Sequence, residues 1–489
     1  SLRLCFVALG FLPLSCRQTD ESEAAPPPLG PQPTGEESKT ADAPKPDLPD
    51  KTVLDEYLAK PDDSYSWKLA RSRNLEGGVT EHVIDMTSQT WLTEKEVDRT
   101  RWQHWLGIYV PKEVKLPTAL LFIGGGSNGR GLPERPEAMA ATIAKQSSAV
   151  VCYLGMVPNQ PLEFHGDGKG RSEDDLIAYA WTQYLKSGDP IWLPRLPMVK
   201  SAVRAMDCVQ EFAKGEAGGR IDVEKFVVSG GSKRGWTTWL TGLDPRVSSI
   251  IPVVIDVLNV NPSMDHHYAA YGAWSPALDD YVRHRIAGQR GEAYNRLLSL
   301  VDPYAYRHRL ELPKFIVNAS GDQFFLPDSS KFYFDDLIGE KYLRYVPNAD
   351  HSLRGSDAAE SIAAWFLAIA TGTERPKFSW TTEEDAIRVS TKTAPTRVLV
   401  WSATNPKGRD FRVDTIAKTW TSEVLEPKEG GLYTAKLTKP EKGFRAYFVE
   451  LEFAGVGGVP LKLTTDVSVR PDVLPHLDDL KKLHAEAAR

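Results

Sequence analysis

The run KFVVSGGSKRG at residues 225–235 decides how this chain is read. Phe226, Val227 and Val228 make a short apolar run of the kind that forms a buried strand. Gly230 and Gly231 then precede Ser232, and Gly235 follows it, so the chain turns sharply and presents a hydroxyl at the strand's end. That is the layout of a nucleophile elbow, a strained strand-to-helix turn that holds a serine Oγ clear of the backbone. The usual spacing is G-x-S-x-G. Gly230 and Ser232 fit it, but Arg234 stands two after the serine and the glycine comes one later, at Gly235. A glycine-rich turn needs no catalytic serine, so the assignment depends on partners elsewhere.

A serine hydroxyl is a weak nucleophile near neutral pH and needs a base, which in turn needs an orienting group. LPKFIVNASGD at residues 312–322 is an apolar strand ending in a small-residue turn with Asp322 at its tip, and YLRYVPNADHSL at residues 342–353 is a strand ending in a loop that carries His351. The chain order Ser232, Asp322, His351 is the order that α/β-hydrolases use. Taken singly, Asp322 reads as a turn residue and His351 as a loop histidine; their joint placement points to a triad. TALLFIGGGSNGRG at residues 118–131 is a strand breaking into three glycines, whose amides at Gly125 and Gly126, with that of Lys233, are the expected oxyanion donors. The competing reading, a phosphate-binding loop, lacks the terminal Lys-Ser/Thr and the GxGxxG spacing.

At 489 residues and 41% hydrophobic content the chain exceeds one ordinary domain and can bury large cores. Its net charge of -6 supplies no basic field for nucleic acid. Residues 1–16, SLRLCFVALGFLPLSC, read as the end of a signal peptide, and Cys16 invites comparison with a lipobox, so an exported protein with a lipid anchor is one expectation. Residues 17–52 are rich in Pro, Ala, Ser, Glu and Lys and read as a disordered tether. Cys152, in a strand, and Cys208, in a helix, read as two buried free thiols.

Residues 53–375 are expected to form an α/β-hydrolase domain, a doubly wound and mostly parallel sheet opened by antiparallel strands over residues 53–111. Residues 259–309, rich in aromatics and helical patterns, interrupt it before the Asp322 strand as a lid, and residues 156–197 are expected to form the facing wall. Beyond Pro376 short alternating runs predict a small β-sandwich over residues 376–475, followed by a tail over 476–489.

The phrases YSWKL (65–69), SQTW (88–91), WQHWL (102–106), EDDLIAYAW (173–181), GGSKRGWTTWLT (230–241), NASGDQFFLPDSS (318–330), VPNADHSL (346–353) and VLVWSATNPKGRDFR (398–412) resemble the PhoPQ-activated pathogenicity-related protein family over about residues 57–475. The resemblance implies an α/β-hydrolase with a β-rich tail. It is associated with bacterial envelope stress and, in a related secreted eukaryotic member, with growth signalling and dipeptidyl-peptidase-like activity. Locally GGSKRG also resembles the elbow of glucuronoyl esterases, where a basic residue follows the nucleophile; the Lys233 ammonium would then assist at the oxyanion, against the plainer reading of a surface lysine.

The function expected is acyl transfer from an ester or peptide by Ser232, His351 and Asp322, in an exported, periplasmic or membrane-anchored protein, with no cofactor and no metal. Glu163, Asp265, His266 and Tyr268 are candidate substrate contacts, and an acidic pair drawn from Glu163, Glu173, Asp174 and Asp265 would serve a dipeptidyl-peptidase-like substrate. The alternatives are a secreted signalling or binding protein on a hydrolase scaffold, and a metal hydrolase, for which Asp265, His266 and His267 lack an H-E-x-x-H spacing.

Overall fold

The computed structural model describes residues 51–487. The expected signal segment, Cys16 and the tether up to residue 50 lie outside the described residues, as do residues 488 and 489. Thr52 caps helix α1 (Val53–Ala59) in a reciprocal box with Asp55.

Three long antiparallel strands follow, β1 (Ser66–Leu75), β2 (Val79–Thr90) and β3 (Arg101–Pro111). The chain then alternates β4 (Thr118–Ile123), α2 (Ala138–Ser147), β5 (Val151–Leu154), a two-stranded turn of β6 (Leu162–Glu163) and β7 (Gly170–Arg171), α3 (Glu173–Ser187) and α4 (Arg195–Lys214). Next come β8 (Lys225–Gly231), α5 (Lys233–Thr241) and β9 (Val247–Val253). The lid helices α6 (Val260–Tyr271), α7 (Asp279–Arg283) and α8 (Glu292–Val301) precede β10 (Lys314–Ala319), β11 (Lys341–Val346) and α9 (Ala358–Ala370). The spatial order β2-β3-β5-β4-β8-β9-β10-β11, with β5 to β11 parallel and β3 antiparallel to β5, is an α/β-hydrolase sheet. Crossovers between parallel strands put helices on both faces, so the strands are buried throughout and read as continuous apolar runs. Cys152 and Cys208 are both buried free thiols.

Because these strands are parallel and in register, their carboxyl ends share one edge: Ile123 lies beside Gly230, Gly231 beside Val253, and Ala319 beside Val346. The turns after β4, β8, β9, β10 and β11 therefore converge there, where open α/β sheets place their ligands.

The C-terminal region forms the expected β-rich extension. It contains β12 (Phe378–Thr382), β13 (Ala386–Thr391), β14 (Arg397–Asn405), α10 (Val413–Ile416), β15 (Thr421–Val424), β16 (Leu432–Lys436), β17 (Phe444–Phe453), β18 (Leu461–Thr464) and β19 (Ser468–Arg470). Two β layers are present, as expected, and one of them is continuous with the hydrolase sheet. β18 pairs with β11 through Leu343 and Thr464, so β18, β17, β14 and β15 extend the hydrolase sheet, while β12, β13 and β16 form the second layer. Phe378 meets Phe453 and Tyr342 at 6.1 Å between ring centres, which joins the layers in one core. The physical reason is an edge: without β18, β11 would present an unpaired row of backbone groups. The tail is not loose either. Its helix α11 (Leu477–Ala487) packs on α6, with the His476 N–H donating to Ala269 O at 2.9 Å.

Arg344 crosses this join. It is 1% exposed, bonds Asp357 at 2.9 and 3.0 Å, and pairs with Glu450 of β17, itself buried. Removing one member of a buried ion pair leaves the other charge uncompensated, typically at about 3–5 kcal/mol. Arg344→Met is therefore expected to lower unfolding stability in urea by about that amount, and Arg344→Met/Glu450→Met to recover most of it. An equal loss in the double variant would show that the pair does not tie the extension to the sheet.

Candidate active site

Ser232 sits at the end of β8 with φ 57° and ψ −125°, a strained conformation for a non-glycine residue. Its N–H donates to Val253 O at 2.8 Å and its carbonyl accepts from Trp236 N–H at 3.0 Å. The departure from G-x-S-x-G has a packing cause. A Cβ at Gly235 would lie 2.8 Å from Val253 O and 2.9 Å from Gly230 O, so the first turn of α5 tolerates only glycine there. Arg234, one earlier, points away from that contact; its guanidinium bonds Glu173 twice, at 2.7 Å each, and donates to Val157 O.

His351 and Asp322 meet as the sequence predicts. Nδ1 of His351 lies 2.8 and 2.9 Å from the two Asp322 oxygens. A carboxylate only accepts, so this contact keeps the ring proton on Nδ1 and leaves Nε2 as the basic nitrogen. Asp322 is itself fixed by the Phe324 N–H at 2.7 Å, and the His351 N–H donates to Gln323 Oε1 at 3.0 Å. Nε2 is buried and has no hydrogen-bond partner, so the expected Ser232–His351 hydrogen bond is not made in this structure. The Phe324 ring lies 4.3 Å from the His351 ring, and Phe324 also lines the cavity that Ser232 lines.

That cavity, of about 70 Å³, holds Ser232 and Lys233 and is otherwise walled mainly by apolar side chains of α5, α3 and the lid. The insertion over residues 259–309 thus covers the edge as expected, and Trp181 of the 156–197 segment supplies the facing wall. The glycine loop is a different matter. Gly125 and Gly126 line a second, larger cavity of about 680 Å³ with Trp105, Tyr153 and Glu173, while Ile123, just before this loop, lies beside Gly230 of the elbow strand. Arg234 fills the space against Gly125, where a Cβ would lie 2.8 Å from its Nη2. Of the three expected oxyanion donors, the Lys233 amide follows Ser232 directly, in the first turn of a helix where N–H groups lack internal partners.

Lys233 is buried, not a surface lysine, and its ammonium is engaged 3.1 Å from Glu173 and 2.9 Å from Asp174. Burial works to raise the Glu173 carboxyl, but Arg234 and Lys233 outweigh it and hold the group at about 2. Arg195, which sequence reading missed, braces the elbow from below: it donates to Lys233 O and to Thr237 Oγ1, the latter at 2.9 Å, and lies over the Trp236 ring. Its only sequence signal is an arginine within the apolar face of a helix.

The four expected substrate contacts are placed elsewhere. Glu163 pairs with the Asp98 strand connection through its backbone, with N–H to Asp98 Oδ1 at 2.9 Å. Asp265 pairs with Arg290 and lies 2.9 Å from His484. His266 is buried 3.0 Å from Asp328, which also bonds Arg409 at 2.6 Å, and Tyr268 packs on Trp274. Asp265 and His266 are adjacent on the helix and point to different faces, so they do not reach one cavity together. Asp256, after β9, is the other acid near the edge, but its oxygens accept from Tyr333 at 2.6 Å and Tyr345 at 2.7 Å, not from His351.

Comparison with known proteins identifies the family. The family model of the PhoPQ-activated pathogenicity-related protein matches residues 54–412, and the chain belongs to that family. It is 39% identical over 456 residues, 87% of this chain and 91% of the relative, to autocrine proliferation repressor protein A of Dictyostelium discoideum. Among solved structures it is similar to an acetyl xylan esterase from Paenibacillus sp. R4, with TM-score 0.43, 18% identity and coverage of 64% of this chain and 91% of that one. It is also similar to a glucuronoyl esterase from Solibacter usitatus, with TM-score 0.38, 14% identity and coverage of 66% and 92%.

Burial pushes the Asp256 carboxyl up to about 7, against the lowering effect of the two tyrosine hydroxyls. A carboxyl raised from 3.8 favours the fold while protonated, so its contribution is full below about pH 4 and is lost as pH rises through about 7. Asp256→Asn is therefore expected to gain stability relative to the wild type on going from pH 4 to pH 8 in chemical denaturation. A difference between the two proteins that does not change with pH would refute the assignment.

Proposed function

We propose that this protein is a serine hydrolase acting by acyl transfer, with Ser232 as nucleophile, His351 as general base and Asp322 as the residue that orients it. The observation that carries the reading is the His351 ring: Nδ1 is fixed on a buried carboxylate, while Nε2 is left buried and unpartnered beside the phenylalanines that border the Ser232 cavity. A buried polar atom without a partner is costly unless function uses it. In apo proteins the nucleophile–base contact is often long and closes in the substrate complex. Ser232 Oγ then attacks the carbonyl carbon, its proton passes to Nε2, and the Lys233 amide donates to the developing oxyanion.

An ester fits the site better than a substrate gripped by a free ammonium. Glu173 and Asp174 are the acids nearest the cavity, and both are already neutralised by Lys233, with Arg234 added on Glu173. A dipeptidyl-peptidase-like grip would have to displace these internal cations. Export, with or without a lipid on Cys16, is part of the proposal and rests on residues 1–16 alone.

A second reading, a signalling protein on a hydrolase scaffold, is favoured by the name of the Dictyostelium relative, a proliferation repressor. Labelling separates the two. An alkyl fluorophosphonate is expected to modify Ser232, with no labelling in Ser232→Ala and a rate lower by on the order of a thousandfold or more in His351→Ala. Modification at another serine, or equal rates in wild type and His351→Ala, would exclude the triad and leave the scaffold reading.

A further inference from the structure

The cavity beside Ser232 is small, apolar and electrically closed, and these three properties together specify a substrate. Its walls are Trp181 of α3, Trp236 of α5, Ile255, and Met264 and Ile286 of the lid. Lys233, Asp174 and Arg290 also reach it, but each is spent within the protein: Lys233 pairs with Asp174 and Glu173, Asp174 accepts from the Tyr281 hydroxyl at 3.0 Å, and Arg290 pairs with Asp265. No charge among them is left to bind a charged group. His351 does not line this space. The leaving group must receive its proton from His351, so a space that borders Ser232 and not His351 lies on the acyl side of the bond being broken.

We propose that this cavity is an acyl pocket for an uncharged aliphatic acyl group of about two to four carbons, a reading that rests on Ser232 being the nucleophile. A dry cavity of about 150 Å³ accepts benzene, with six carbons, so about 70 Å³ accepts roughly half as many. The chemistry balances as an ester hydrolysis. The Ser232 Oγ–acyl bond forms and the acyl–alkoxide bond breaks, with the Oγ proton carried by His351 to the departing alcohol. Water then attacks the acyl-enzyme, gives its proton to His351, and releases a short carboxylic acid as Oγ recovers a proton. A wall that excludes one methylene discriminates by about 10–200-fold.

The test is the full chain with p-nitrophenyl acetate, butyrate, hexanoate and octanoate, beside labelling by a small alkyl fluorophosphonate. Acetate and butyrate are expected to be turned over, with kcat/KM falling at least about tenfold from butyrate to hexanoate. Met264→Ala, which removes a half-buried lid side chain, is expected to move the optimum towards hexanoate; Val257→Phe, which fills the cavity, is expected to lose butyrate while retaining acetate. Labelling of each variant confirms that it is folded and acylable. Rates that stay level or rise through octanoate in the wild type, or a profile that neither variant moves, would overturn the pocket while leaving the Ser232 reading intact. Absence of both labelling and turnover of any ester would overturn that reading, and the pocket with it.

Discussion

The catalytic edge depends on the backbone of one residue. Ser232 holds a conformation that costs about 1–3 kcal/mol for a side chain with a Cβ, and it persists because its surroundings leave no alternative. The N–H is committed to Val253 and the carbonyl to Trp236. Every residue of α5 from Lys233 to Thr241 is buried, so the helix cannot roll to relax the turn. Gly230 and Gly235 let strand and helix approach closely enough for this to happen: a Cβ on Gly230 would meet Arg234 O at 2.9 Å. The strain is thus offset by packing of a whole helix, and the serine hydroxyl is aimed before any substrate arrives.

Two cations follow Ser232 directly, and their fate decides the electrostatics around it. Left free, they would favour an anionic substrate. Instead the start of α3 supplies Glu173 and Asp174, and the resulting group is close to neutral. The same stretch of α3 reaches the lid: Asp174 accepts from Tyr281, and Asp175 lies 2.6 Å from His284. The elbow helix, the wall and the lid are therefore joined by one polar network through Lys233, and moving the lid disturbs the charges beside Ser232.

The parts of this arrangement that were legible in the sequence are those that local chemistry encodes. The runs before Ser232, Asp322 and His351 are apolar because parallel strands are buried on both faces, and each ends in a turn whose small residues mark the sheet edge. The register that brings Asp322 to His351 follows from that shared edge. What stayed hidden depends on partners distant in the chain. Alternation identified the C-terminal strands but carried no sign that β18 would pair with β11. Three glycines after β4 suggested amides for the oxyanion, but the sequence did not show that Tyr153 and Arg234 would pack against Gly124 and Gly125. Arg344 gave a faint signal as a charge inside the apolar run YLRYV, without naming Glu450 as its partner.

The C-terminal region is best understood through what it does to the lid. α6 is held on one flank by α11, through His484 and Asp265, and on the other by Arg409, which joins Asp328 and so His266. Burial raises the Asp328 carboxyl, but Arg409 and His266 outweigh it and hold it well below the usual range. A buried group of this kind adds little net stability over apolar packing. It does constrain α6, because any shift of that helix takes His266 away from Asp328, which is 3% exposed and keeps only Arg409 and Lys331. Met264 lies on the same helix, two residues from His266, so the helix that carries this wall of the cavity beside Ser232 is held by the C-terminal helix and by the loop bearing Arg409. A cavity fixed in that way keeps its size, and a pocket of fixed size discriminates by excluding what is too long.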